Sequence, residues 1–227
     1  MLLRNLLSFV SVACVLTACG GGGSNEKDKG GSVTNAEILS TLSSANIDST
    51  GFPWDSSSGA GNTKRWNLPI PVKTNGDPRA VAAMNTLEAR LGVTMFDRTS
   101  IEATPNGSIT RGIIFAQGTS FVPPGTTNLN AYCANVASGP NQGSYPSNFY
   151  NGTTGVIDTR LYINLDNSGC IASADVVVHE FGHALGLGAH FNGFGNGPAI
   201  SNLYYSDLKT LYVNAPGTPK ASVVITQ

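Results

Sequence analysis

Apolar positions in the middle of the chain recur with the spacing of an amphipathic helix. The helix is predicted to open at Asp77-Pro78, a typical start signal, and to run through Arg90. Gly92 is expected to end it. Its predicted apolar face is formed by Val81, Met84, Leu87 and Leu91.

A second helix is predicted further along the chain. Ser173 is a typical N-cap residue, and Asp175 in the first turn suits the positive end of the helix dipole. Residues 33–62 are rich in Ser, Thr, Asn and Gly, so we expect irregular structure there with a short helix near 36–43.

Four stretches have the pattern of strands. The first, Arg65–Lys73, alternates apolar and other residues, and its two prolines favour an edge position. The other three are Val93–Arg98, Ile109–Gln117 and Val156–Leu165. The segment 118–155 is dense in Gly, Pro, Asn, Ser and Tyr, and it is predicted to be a long loop, of the sort that often carries function or substrate contacts.

The first twenty residues have the pattern of an export signal. Arg4 precedes an apolar run, Leu6–Val15, that is too short to span a bilayer as a stable helix. Leu16-Thr17-Ala18-Cys19 then resembles the lipobox of bacterial lipoproteins, in which the cysteine is acylated and becomes the mature N-terminus. An ordinary secretory signal or a buried helix is the alternative.

The lipoprotein interpretation divides the chain into three parts. Residues 1–18 are the expected signal peptide, and residues 19–32 are a Gly-rich tether that begins at the lipidated Cys19. Residues 33–227 are expected to form one domain. The predicted location is the bacterial cell envelope, with the lipid anchor at the outer membrane or cell surface.

Charge and cysteine content narrow the class of protein. Only 12% of the residues are charged and the formal net charge is −1, with no basic block, so nucleic-acid binding is not expected. Cys14 leaves with the signal and Cys19 takes lipid, which leaves Cys133 and Cys170. We expect these two to form a disulfide, since a thiolate metal site normally shows closely spaced pairs such as C-x-x-C.

All three histidines of the chain fall within twelve residues, at His179, His183 and His190. On a helix His179 and His183 lie one turn apart and can point at one ion, while Glu180 reaches a water bound to that ion. Gly186 allows the turn that returns the chain, which brings His190 as a third ligand. Three protein nitrogens leave a fourth position open, as in a catalytic zinc site.

The segment HEFGHALGLG at 179–188 resembles the metzincin zinc metallopeptidases, and their matrixin-type members most closely. The resemblance implies an α/β (α+β) fold, with a twisted, mostly parallel five-stranded sheet, an active-site helix and a small C-terminal lobe after His190. In that fold Val156–Leu165 is an edge strand, and 206–212 is a short C-terminal helix. The implied activity is zinc-dependent endopeptidase hydrolysis of peptide bonds, with Glu180 as the general base.

The same resemblance carries expectations about ligands and partners. It implies one catalytic zinc, a protein or peptide substrate, and a monomer. It also makes Asp158, Asn164 and Asp166 candidate calcium ligands, and the alternative is that these polar residues only solvate turns and loops. Tyr204 and Tyr205 are candidate donors to an oxyanion, and the alternative is that each is an ordinary core or surface aromatic.

The sequence departs from the family pattern in two places. His190 comes one residue later than the family's third ligand, and Asp207 is the alternative third ligand because it is the only carboxylate after His190. No methionine follows the motif, so Ile200 or Leu203 is expected where the family has a methionine turn. These departures motivate the alternative function, a lipid-anchored zinc- or peptide-binding lipoprotein without turnover.

Overall fold

A computed structural model describes residues 32–48, 61–146, 148–197 and 199–227. Within these ranges the chain forms four α-helices: Asn35–Leu42 (α1), Pro78–Leu91 (α2), Ala174–Leu185 (α3) and Asn202–Val213 (α4). A π-helical turn, Ser43–Ile47, extends α1. None of the helices in the described part of the chain is long and apolar enough to cross a membrane. The predicted signal peptide and Cys19 lie outside the described residues.

The strands are short and alternate with the helices along the chain. They are Arg65–Trp66 (β1), Ile70–Lys73 (β2), Phe96–Asp97 (β3), Gly112–Gln117 (β4), Ala134–Ala137 (β5), Val156–Ile157 (β6), Arg160–Leu165 (β7), Phe191–Asn192 (β8) and Gly195–Asn196 (β9). Five of them form one sheet in the order β3-β2-β4-β7-β5, in which only β5 is antiparallel to its neighbour. The expected mixed α/β class with a mostly parallel sheet is therefore confirmed.

Two predicted strands are split, and two predicted edge positions are wrong. The first strand divides into β1, which pairs with β6 in a separate sheet, and β2, which lies inside the main sheet between β3 and β4. Val156–Leu165 likewise divides into β6 and β7. β7 is not an edge strand, because Val136 of β5 pairs with its Ile163. The predicted loop 118–155 therefore contains β5, one of the two edge strands of this sheet, and β3 is the other.

The helix boundaries follow local sequence signals closely. Asp77 accepts a hydrogen bond from the Arg79 N–H, and Gly92 ends α2 with φ 71°. The face that α2 buries consists of Ala80, Ala83, Met84, Leu87 and Leu91. Val81 is 40% exposed, so its predicted place on that face is wrong. α4 is longer than the predicted helix at 206–212, since Ser201 caps it through the Tyr204 N–H.

The helix α3 packs between the sheet and the C-terminal segment. Its Phe181 is fully buried, with its ring 5.1 Å from that of Phe115 in β4 and 5.2 Å from that of Phe96 in β3. On the approach to α3, Cys170 forms a disulfide with Cys133, as expected. One hydrophobic cluster draws on residues from Leu42 to Tyr212, so the described elements share a core that holds α3 in place.

Candidate metal centre

The helix α3 places His179 and His183 on one face, and its other faces pack into the core. Ser173 accepts a hydrogen bond from the Val176 N–H and caps the helix, as predicted. Val177, Phe181, Ala184 and Leu185 are fully buried. This fixes the rotation of α3 about its axis, and the imidazoles one turn apart meet on the side away from the sheet core.

The chain returns to these histidines through a tight turn. Gly186 has φ 122°, a conformation that favours glycine, and a Cβ atom there would lie 2.7 Å from the carbonyl oxygen of Lys64. The Leu187 N–H then donates to the carbonyl of Gly182 over 2.9 Å. His190, four residues after Gly186, therefore lies next to the two helical histidines.

The three imidazoles converge through their Nε2 atoms. The Nε2 of His179 lies 3.1 Å from that of His183 and 3.1 Å from that of His190, and the last two are 3.0 Å apart. In the described ranges, these are the one group of three or more His, Cys, Asp or Glu side chains that could hold a metal. The extra residue before His190 therefore does not keep it from the cluster.

Backbone carbonyls fix the orientation of two of the rings. The Nδ1 of His183 lies 2.6 Å from the Leu187 oxygen, and the Nδ1 of His179 lies 3.2 Å from the Ala199 oxygen. A carbonyl accepts a hydrogen bond, so each Nδ1 carries the proton and each Nε2 presents a lone pair toward the centre. Lone pairs that face one another at this distance suit a shared cation.

The donor set fits a zinc ion. Zinc binds imidazole nitrogens at about 2.0–2.1 Å, which places them about 3.4 Å apart at tetrahedral angles. The observed separations of 3.0–3.1 Å are a few tenths of an ångström shorter. His179, His183 and His190 would thus hold the metal, and imidazole nitrogens suit zinc, copper, iron and nickel alike.

Burial keeps the three rings in the neutral state that binds metals. Desolvation, helped by His190, lowers the pKa of His179 to about 4. Desolvation lowers the pKa of His183 well below its usual value, with contributions from the other two imidazoles, and it also lowers the pKa of His190. At neutral pH no proton therefore competes with a metal ion for these nitrogens.

An aromatic ring that the sequence reasoning missed forms the wall behind the histidines. Phe194 is fully buried, and its ring centroid lies 4.4 Å from that of His179, 4.7 Å from that of His183 and 5.5 Å from that of His190. Gly182 makes room for it, since a Cβ there would lie 2.7 Å from the Phe194 ring. Phe194 thus packs against all three imidazoles. The place of Ile200 or Leu203 at the position of the family's methionine turn stays a prediction.

Glu180 lies beside the two helical histidines in a buried position. It is 5% exposed, and burial raises the pKa of its carboxyl to about 8. A carboxyl with a pKa near neutrality can accept and release a proton at physiological pH. Burial also raises the pKa of Tyr145 well above its usual value, and the charge of Glu180 contributes to the rise. Tyr145 belongs to the predicted loop 118–155.

The other candidate residues have partners elsewhere. One carboxylate oxygen of Asp207 accepts a hydrogen bond from Thr41 on α1, and Asp207 is not part of the histidine cluster. The Tyr204 hydroxyl donates to the Val178 carbonyl over 2.7 Å, and the Tyr205 ring lies under the Arg90 guanidinium. These contacts match the alternative interpretation, in which the two tyrosines are ordinary core or surface aromatics and not donors to an oxyanion.

The candidate calcium ligands are also engaged within the chain. Asp158 pairs with Arg111, and Asp166 accepts two hydrogen bonds from the guanidinium of Arg79. The Asn164 side chain accepts from a threonine hydroxyl and donates to a glycine carbonyl. Calcium at these residues stays a prediction.

Comparisons of this chain with protein-family models, curated proteins and solved structures found no match. The site itself therefore carries the functional argument.

Proposed function

We propose that this protein is a zinc-dependent endopeptidase that hydrolyses peptide bonds in proteins or peptides, on a metzincin-like zincin fold. The observation that carries the proposal is the convergence of the three Nε2 atoms within 3.1 Å, with a buried Glu180 next to His179 on the same helix. A purely structural three-histidine site has no need of a carboxyl in that position.

The side chains divide the chemistry between them. His179, His183 and His190 would hold the metal. When bound, zinc supplies a Lewis acid that polarises the substrate carbonyl and lowers the pKa of a bound water. Glu180 takes the proton from the attacking water and passes it to the leaving amine nitrogen, so it acts first as base and then as acid. Phe194 and the carbonyls of Leu187 and Ala199 keep the rings in place.

The test is the change Glu180→Gln, which removes the base and keeps the size of the side chain. We expect stoichiometric zinc in the full-length variant and a loss of 10²- to 10⁴-fold in the rate of casein cleavage, the usual contribution of general acid–base catalysis. Glu37→Gln is the matched control, because Glu37 lies in the capping box of α1 and Gln can replace it there.

Two outcomes contradict the proposal in different ways. If Glu180→Gln cleaves casein as fast as the wild type, the observed hydrolysis does not come from this site. If the wild type holds zinc and cleaves no protein or peptide substrate, the alternative of a binding lipoprotein without turnover gains support.

The proposal includes an exported, lipid-anchored enzyme of the bacterial cell envelope, with residues 1–18 removed, Cys19 acylated, 19–32 as a tether and 33–227 as the catalytic domain. Its support is the lipobox-like sequence. Incorporation of labelled palmitate into the expressed chain tests it: Cys19→Ser should abolish labelling, and Cys14→Ser should leave it unchanged. Equal labelling of the two variants would contradict the anchor at Cys19.

A further inference from the structure

A side chain far from the histidines in sequence holds the turn that lies between His183 and His190. Asn46 lies in the π-helical turn after α1 and is fully buried. Its Nδ2 donates to the carbonyl of Gly186 over 2.7 Å and to the carbonyl of Lys64 over 2.8 Å. Its Oδ1 accepts the Lys64 N–H over 2.9 Å. The Asn46 amide thus ties the end of α3 to the chain that enters β1.

The backbone of the same segment holds the other end of the turn. The carbonyl of Ala45 accepts the N–H of Gly188 over 2.7 Å. Gly186 and Gly188 are therefore each bonded to neighbouring residues of one π-helical turn. π-helical turns in proteins are rare and occur often at functional sites. Here the turn presents a side chain and a carbonyl to the same three-residue segment.

The residue between the two held glycines acts directly on a metal-site imidazole. Leu187 lies between Gly186 and Gly188, and its carbonyl faces the Nδ1 of His183 at 2.6 Å. The same segment leads two residues later into His190. Movement of the turn would therefore change both the ring orientation of His183 and the position of the third nitrogen.

A buried lysine keeps the π-helical turn in place. The Nζ of Lys64 donates to the carbonyls of Asn46, Ile47 and Asn62, over 3.0, 2.9 and 3.2 Å. Two of these carbonyls belong to the π-helical turn, and the third belongs to the segment just before β1. The backbone carbonyl and the side-chain amide of Asn46 are thus both hydrogen-bonded, which restricts the movement of this residue.

We propose that Asn46 is a positioning residue of the metal centre, which sets metal affinity by fixing the 186–188 turn. The hydrogen bonds of the Asn46 amide go to Gly186 and Lys64 and not to the three histidines. Its effect passes through the Gly186 carbonyl to the Leu187 carbonyl and the return to His190. The proposal rests on the three-histidine site of the proposed function, and it does not depend on peptidase activity.

The test measures metal binding in the full-length chain without any substrate. Zinc affinity is determined by competition with a chromophoric chelator, and the geometry of the site by the visible spectrum of the cobalt-substituted protein. Asn46→Ala removes the whole amide, whereas Asn46→Asp keeps an acceptor for the Lys64 N–H and removes both donors. A variant that alters only the stability of the fold would not change the cobalt spectrum.

Asn214 offers a closely matched control. It is also a buried asparagine, and its Nδ2 donates to the carbonyls of Thr210 and Val224 while its Oδ1 accepts the Val224 N–H. Asn214→Ala therefore removes the same number and kind of hydrogen bonds, outside the 186–190 segment. Its loss of stability on urea unfolding should be comparable to that of Asn46→Ala.

We expect both Asn46 variants to bind zinc about tenfold or more weakly, the usual effect of removing a group that supports a metal ligand, and to show an altered cobalt spectrum. Asn214→Ala should keep wild-type affinity and spectrum. Wild-type affinity in the Asn46 variants would overturn the proposal, and so would an equal loss in Asn214→Ala. A wild type that binds zinc but has no peptidase activity would refute only the proposed function. A wild type that binds no metal would refute both the proposed function and the role of Asn46.

Discussion

The ring of Phe194 stacks on the imidazole of His179, with 4.4 Å between their centroids and 29° between their planes. The centroid of the same ring lies 5.3 Å from that of Tyr204 in α4. Phe194 therefore contacts both the candidate metal centre and α4. Phe194→Ala should lower the free energy of unfolding by about 3–5 kcal/mol, as for other buried aromatic residues, and should also weaken zinc binding. Urea unfolding and chelator competition measure the two effects.

Phe115→Ala is the control for that prediction. Phe115 is equally buried, but its aromatic contact is to Phe181 on the sheet side of α3. The control should lose comparable stability and retain zinc affinity. Unchanged zinc affinity in Phe194→Ala would show that the ring supports the fold without holding the imidazoles.

The third ligand can be tested by removing each candidate in turn. His190→Ala should lose zinc or bind it far more weakly, because two nitrogens remain of the three that converge. Asp207→Ala should retain one zinc per chain, since Asp207 bonds to Thr41 on α1 instead. Metal content after dialysis measures both. Retention of zinc by His190→Ala, or its loss from Asp207→Ala, would contradict the three-histidine site.

Local signals in the sequence predicted the helices well. Ser173 begins α3 and Gly186 ends it, because capping and left-handed conformations depend on residues close in sequence. Strand neighbours depend on distant pairing, and there the predictions failed. The sequence of β5, Ala-Asn-Val-Ala, carries little strand signal, and its place follows from pairing with β7 and from the disulfide at Cys133.

At the candidate metal centre, too, the contacts set by local sequence were predicted and those set by tertiary packing were missed. The spacing of His179, His183 and His190 predicted their convergence, because helix geometry fixes two and a short turn brings the third. Phe194 and Asn46 were missed, since their contacts with this region come from tertiary packing. The one local hint of Phe194 is its position among the glycines that follow His190, a stretch flexible enough to fold back on α3.

The disulfide should contribute substantially to stability. Cys133 and Cys170 are 37 residues apart, and closing a loop of that length restricts the unfolded chain by about 4 kcal/mol on the chain-entropy model. The double change to serine should lower the free energy of unfolding by about that amount in urea. Wild type with a reductant should behave like the double variant, and an unchanged midpoint under both conditions would contradict the expectation.

The carboxyl of Asp207 is buried in a way that makes the fold sensitive to pH. It is fully buried, and its Oδ2 has no hydrogen-bond partner among the described residues. Burial raises its pKa from 3.8 to about 8, against the opposing effect of the Thr41 hydrogen bond. The folded state therefore keeps a proton that the unfolded state loses near pH 4, so this group destabilises the fold progressively as the pH rises from about 4 to 8.

Asp207→Asn should remove that dependence. The wild type is expected to lose up to about 1.4 kcal/mol of unfolding free energy per pH unit from this group, and the variant should lose correspondingly less between pH 5 and 8. Urea unfolding at several pH values, with a chelator present so that metal binding does not contribute, measures the difference. Thr41→Val is a second test, because it removes the hydroxyl that favours the ionised carboxylate. Near pH 8 its unfolding free energy should fall more steeply with pH than that of the wild type. Parallel pH profiles for wild type and Asp207→Asn would show that Asp207 ionises in the folded protein as readily as in the unfolded chain.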